Sequence, residues 1–178
     1  LSEDNTTLDF PRGDTDVFNP QIGLFYKLTD TGTLHASIAK KSRLPSIKDK
    51  FSYRLGTALP NPDLKPEESI NYEVGYQDLL FKKLTVEATF FYSDISDFIL
   101  FKTVPNPDDP STTLNQNQNI GDIKQYGLEL GVSAQILECV KGGFNYTYIQ
   151  YINESSSDRL TNIPHNKVFA YLQYFTPL

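Results

Sequence analysis

The sequence predicts an all-β fold, an antiparallel up-and-down meander of about seven strands. Three observations predict it. Apolar and polar residues alternate with a period of two along most of the chain, which puts one kind on each face of a strand. The connections alternate short and long. The strands run about ten residues, the length a tilted strand needs to cross a hydrocarbon layer and roughly twice that of many soluble strands.

The first strand carries Phe18, Ile22, Leu24, Tyr26 and Leu28 on one face and Asn19, Gln21, Gly23 and Lys27 on the other. A turn at Thr29 to Gly32 leads into Leu34, Ala36 and Ile38, alternating with His35, Ser37 and Ala39, so the pair reads as a hairpin. Residues 42–66 lack a period and hold prolines at 45, 60, 62 and 66, the signature of a loop. Ser69 to Gln77 alternates Ile70, Tyr72, Val74 and Tyr76 with Asn71, Glu73, Gly75 and Gln77. A short connection follows, then Leu84, Val86, Ala88, Phe90 and Tyr92 against Thr85, Glu87, Thr89, Phe91 and Ser93.

The stretch from Val104 to Asn119, with three prolines and an Asn/Gln run, reads as a second polar loop. Tyr126, Leu128, Leu130, Val132, Ala134 and Ile136 mark the next strand, opposed by Gln125, Gly127, Glu129, Gly131, Ser133 and Gln135. Phe144, Tyr146 and Tyr148 follow a short connection, and residues 153–162 form a third polar loop. The last strand spans about Lys167 to Phe175, with Phe169 and Tyr171 adding apolar residues to its inner face.

Composition narrows the classes. The chain has 178 residues and a net charge of −6, against a general nucleic-acid binder, which needs a basic face. Its single cysteine, Cys139, excludes an internal disulfide framework and a multi-cysteine metal site. Mean hydropathy is −0.39, a value compatible with a soluble β-protein and with a membrane barrel, where only alternate residues face lipid. Aromatics are 13% of the chain, all Tyr and Phe, as aromatic girdles require. Loops that alternate short and long belong to barrels with short periplasmic turns and long outer loops, whereas a soluble sandwich has no reason to alternate them.

Several stretches, in order, resemble the carboxy-terminal part of the TonB-dependent outer-membrane receptors: NPQIGLFYKL, SRLPSIKDKF, NPDLKPEESINYEVGY, NIGDIKQYGLELGVS, NYTYI and IPHNKVFAYLQY, together covering nearly all of residues 18 to 176. The resemblance implies a partial transmembrane β-barrel domain over residues 1–178, with a loop at 1–16 and strands and loops over 17–178. Such receptors are 22-stranded barrels filled by an amino-terminal plug. No plug, TonB box or terminal aromatic is found here, and seven strands cannot close, so an excised piece lacking the plug and final strands is expected.

The implied function is uptake of a scarce nutrient, such as an iron–siderophore complex or cobalamin, in the outer membrane of a Gram-negative bacterium. The implied partners are outer-membrane lipid, the nutrient ligand and the TonB energy-transducing complex, reached through the missing plug. No enzyme activity, cofactor, metal site or nucleic-acid partner is expected. Asn71, Glu73, Gly75, Glu87 and Glu129 would face the lumen. Residues 42–66 are the candidate substrate loop, through Arg43, Phe51, Tyr53 and Arg54, because arginine pairs with anions and aromatics stack on planar groups. The plain alternative there is an ordinary charged loop. The alternative for the chain is a small stand-alone outer-membrane or soluble β-protein with an adhesive or structural role.

His35 and His165 are isolated and Cys139 sits in a turn, so no base–nucleophile set is present. Asp94, Asp97, Asp108 and Asp109 match no ordered calcium loop. The triplets starting at Asn5, Asn145 and Asn153 fit the glycosylation pattern and are coincidental in a bacterial outer-membrane protein.

Overall fold

A computed structural model describes residues 15–155 and 164–176. The expected loop at 1–16 lies mostly outside these residues, as do the Asn5 triplet and most of the third polar loop. One seven-stranded antiparallel sheet dominates, in the order β1 (Gln21–Lys27), β2 (Thr33–Arg43), β4 (Glu67–Leu80), β5 (Leu84–Ser96), β8 (Ile123–Leu137), β9 (Val140–Asn153) and β10 (Asn166–Tyr174). Each neighbour in the sheet is also the next of that sheet's strands along the chain, which makes it a meander. The sheet is open, with β1 and β10 at its edges.

The register turns sequence alternation into two distinct faces. Leu24, Ala36, Val74, Phe90, Leu128 and Tyr148 form one continuous row across six strands. Nothing covers them: Leu24 is 70% exposed and Phe90 50%. A soluble sandwich buries such a face under a second sheet, and no second layer packs there among the described residues. One step toward the outer loops, Ile38, Tyr72, Tyr92 and Tyr126 make the next row on this face, with the Tyr72 and Tyr92 ring centroids 6.0 Å apart. One step further lies the row Lys40, Ile70, Asp94 and Lys124, three of them charged, and Lys124 pairs with Glu154. Apolar, then tyrosine, then charge is the layering of a strand face that leaves lipid for water.

The opposite face carries Phe25, His35, Gly75, Thr89, Glu129 and Thr147 in one row. A Cβ at Gly75 would overlap the His35 ring and stand 2.6 Å from Thr89 Oγ1, and one at Gly127 would overlap the Tyr148 carbonyl oxygen and then the Phe91 ring. These glycines weaken their strands, and the rings lying over them restore contact.

The long connections hold more structure than their sequences predict. Residues between β2 and β4 form a short helix, α1 (Ile47–Phe51), a single 3-10 turn (Arg54–Gly56) and a two-residue strand, β3 (Ala58–Leu59). The stretch read as the second polar loop is largely a hairpin, β6 (Ile99–Pro105) with β7 (Thr113–Asn119). Its Asn/Gln residues have low strand propensity, and what makes β7 a strand is pairing with β6 on one side and β3 on the other. The short connections stay short. Phe81 to Lys83 joins β4 to β5, with Phe81 and Lys82 both left-handed at φ 52° and 57°.

Apolar burial is sparse. Ala58, Leu64, Ile99 and Ile123 are buried where the two structured loops meet the sheet, and Ala39 and Ile149 are buried on the polar face. Among the described residues most buried apolar groups thus sit at the loop end, and the faces of the sheet add only Ala39 and Ile149.

Candidate functional site

The outer end of the sheet is organised by one carboxylate. Glu67, the first residue of β4, is 8% exposed. Its two oxygens accept from Arg43 Nε at 2.7 Å and Arg43 Nη2 at 2.6 Å, a bidentate fork. Oε1 also accepts the Ile99 backbone N–H at 2.8 Å. Three segments, β2, β4 and β6, are thereby tied at a single side chain. The bond to Glu67 is the main reason that the Arg43 guanidinium holds its proton even more firmly than usual.

Arg43 Nη1 reaches Asp49 Oδ2 at 3.3 Å. Asp49 closes a capping box at the start of α1, accepting from Ser46 N at 2.9 Å while its own N–H donates to Ser46 Oγ at 3.1 Å. The Ser46 backbone bond, then the Ser46 hydroxyl and Arg43, hold this carboxyl below its ordinary range.

Further along the loop, Arg54 and Leu55 take left-handed backbone at φ 41° and 55°, unusual for residues with a Cβ. The turn sets the Arg54 guanidinium 4.0 Å over the Phe101 ring centroid, a cation–π contact with β6. Between these elements lies a cavity of about 270 Å³. Arg43, Lys48, Asp49, Ser52 and Arg54 line it from the first loop; Ile99, Leu100, Phe101 and Asn117 line it from the hairpin. Arg43 is neutralised by two carboxylates, whereas Lys48 and Arg54 enter no ion pair among the described residues. The cavity is a cationic mouth with an apolar wall, suited to an anion that carries a flat or apolar body.

The four sequence-predicted loop residues divide. Arg43 and Arg54 line this cavity; Phe51, at the end of α1, and Tyr53, 56% exposed, do not. Lys48, another cation of the same candidate loop, lines the cavity as well. Phe101 carries no signal in the sequence, since it meets the loop only when the hairpin folds onto it.

Asn71, Glu73, Gly75, Glu87 and Glu129 all lie on the polar face. Asn71, Glu73 and Glu129 line a shallow groove of about 340 Å³ there. His35 Nε2 stands 3.2 Å from Glu73 Oε1, and Asn71 Oδ1 accepts from Ser93 Oγ at 2.7 Å. No group of three or more metal-ligating side chains occurs among the described residues.

Comparison with known proteins gives this geometry a family. The profile described as "TonB dependent receptor-like, beta-barrel" matches residues 2–178. The chain belongs to the TonB-dependent receptor β-barrel family. Heme/hemopexin utilization protein C of Haemophilus influenzae (strain 86-028NP) is 30% identical over 171 residues, covering 84% of this chain and 24% of that protein. The iron-regulated outer membrane virulence protein of Vibrio cholerae (strain O395) is 26% identical over 152 residues, covering 79% of this chain and 23% of that protein. The chain thus spans about a quarter of the length of the curated relatives it matches.

Among solved structures, the copper transporter OprC superposes with a TM-score of 0.68 at 25% identity, covering 88% of this chain and 24% of that one. The ferric enterobactin receptor PfeA of Pseudomonas aeruginosa, in complex with enterobactin, superposes at 0.68 with 22% identity, over 88% of this chain and 25% of that one. The seven-stranded sheet is an arc of the receptor barrel, and the protein belongs to the outer membrane of Gram-negative bacteria. Of these similar proteins OprC is named as a transporter and PfeA as a receptor.

Proposed function

We propose that this chain supplies wall and outer loops to a receptor that takes up a scarce nutrient across the outer membrane, driven by TonB, and that the nutrient is an anionic iron complex, either heme or a ferric siderophore. The observation that carries the reading is the loop cavity, where Lys48 and Arg54 have no carboxylate partner among the described residues and Arg54 lies over the Phe101 ring. Relatives named for heme/hemopexin utilization and for iron regulation support the iron class. A vitamin B12 transporter of Vibrio vulnificus, 29% identical over 80 residues, keeps cobalamin as the second cargo.

In this reading Arg43 shapes the cavity and Arg54 and Lys48 meet the ligand. Phe51 and Tyr53 border the approach. The polar face carrying Asn71, Glu73, Gly75, Glu87 and Glu129 lines the lumen against the plug and its TonB connection. Transport by such a route makes and breaks no covalent bond.

The test is growth of an iron-starved strain whose only outer-membrane iron receptor is the full-length protein carrying this chain. Hemin and ferric siderophores are supplied singly. Growth on one of them, reduced when Lys48→Gln and Arg54→Gln are combined, supports the reading. Growth on none, with cobalamin uptake intact, moves the cargo to cobalamin.

A further inference from the structure

We infer that the Asn/Gln run of β7 is a clamp that joins the two outer loops into one cap. The backbone alone holds them weakly, because β3 pairs with β7 over two residues, Ala58 with Asn115 and Leu59 with Gln116. The side-chain amides do the rest. Asn117 Nδ2 donates to the Asp49 carbonyl at 2.8 Å, and the Asn117 carbonyl accepts from Asn61 Nδ2 at 2.9 Å. Gln116 Nε2 donates to the Pro60 carbonyl at 3.1 Å. Asn119 accepts the Lys65 N–H at 3.0 Å and donates to the Lys65 carbonyl at 3.1 Å, the two-way exchange that a paired strand residue would make. The same Nδ2 reaches the Asp97 carbonyl at 2.6 Å.

An amide carries both a donor and an acceptor, so it can stand in for a strand partner where the opposing loop is too irregular to be one. Apolar contact cannot replace it here. Of the first loop's residues only Ala58 and Leu64 are buried apolar groups, too few to offset the cost of ordering some twenty residues. The clamp has a direct consequence for the cavity. Its walls come from both loops, so undocking takes Arg54 off Phe101 and opens the seam. The clamp itself is independent of what the cavity binds.

Hydrogen exchange of the full-length protein carrying this chain, in detergent and without ligand, tests the inference. In the variant combining Asn117→Ala with Asn119→Ala, amides of residues 49–65 should exchange at least about tenfold faster, the equivalent of one or two lost hydrogen bonds. The β6–β7 ladder should keep its wild-type rate. Gln118→Ala, which loses only a bond to Gln116 within the same strand, should leave both segments unchanged. A disulfide between Ala58→Cys and Asn115→Cys, whose Cα atoms are register partners, should restore slow exchange in the double variant. Unchanged exchange at 49–65 in the double variant, or an equal rise in Gln118→Ala, overturns the clamp. With no ligand in the experiment, failure of the clamp and failure of the iron-uptake reading are separate results.

Discussion

Arg43 and Glu67 face each other as a register pair at the outer ends of β2 and β4, and their two side chains close a bidentate fork at 2.6 and 2.7 Å. The pair stands where the sheet ends and the cap begins. Glu67 is buried while half of the Arg43 side chain meets water, so the fork is stronger than a surface pair yet avoids the full desolvation cost of an interior one. Glu67→Ala removes the acceptor of Arg43 and strands the Ile99 N–H. A buried donor left without a partner costs about 1–3 kcal/mol, and the cap should open more often by a corresponding factor. Limited proteolysis within residues 43–67 should accelerate by roughly tenfold. Glu67→Gln, which keeps an acceptor for Ile99, should be milder.

Acid should loosen the start of α1. The Asp49 carboxyl sits below its ordinary range because Ser46 and Arg43 favour its ionised form. A carboxyl depressed in the folded state stabilises the fold above its unfolded pKa, about 3.9, and that contribution disappears as pH falls through the lower folded value. Exchange protection of residues 46–50 should therefore hold at pH 5 and weaken below about pH 4. Asp49→Asn should show a smaller acid step.

The two faces of the sheet should respond oppositely to charge. Leu130 lies on the apolar face and Ser133 on the polar one. An arginine on a lipid-facing strand position costs about 2–4 kcal/mol near the bilayer midplane. Leu130→Arg should lower the yield of folded receptor, read as the fast-migrating band on unheated gels. Ser133→Arg should leave that band intact. Equal loss from both would contradict the assignment of faces.

Bulk at Gly75 should disturb strand pairing rather than ligand chemistry. The His35 ring and Thr89 Oγ1 occupy the space that a Cβ would need. Gly75→Val should displace His35 from its place beside Glu73 and reduce assembly by the same gel assay. Restoring room with His35→Ala in the same chain should recover part of the yield.

Alternation made the sheet legible. Ile70 to Gln77 and Leu84 to Ser93 declare their faces residue by residue, and the register follows once the short turns fix which strands are neighbours. The cap was not legible for the opposite reason. Asn115 to Asn119 carry no hydropathic period and read as loop, since amides satisfy backbone groups through long-range contacts that leave no local trace. Leu64, Ile99 and Ile123 are scattered apolar residues in sequence, and nothing local marks them as the ones that the fold buries. Arg54 is visible as a cation in a loop, but its partner Phe101 lies in β6, three strands further along the chain. The resemblance to a receptor family rested on strand and loop-entry motifs, which describe the wall better than the cargo.

The tyrosine row has a consequence for where a nutrient is met. Tyr72, Tyr92 and Tyr126 mark a waterline on the sheet. Arg43 lies five residues along β2 from Ile38, their register neighbour, so at about 3.3 Å per residue and roughly 40° of strand tilt it rides some 12 Å above that line. The cap floats clear of the hydrocarbon, so under the proposed function its cargo would be met in water. Inserting a register-matched pair of residues in each strand between the waterline and the cap would lift the whole seat by about 5 Å without altering a contact inside it. On that reading draught, as much as chemistry, would decide which molecules at the cell surface can reach it.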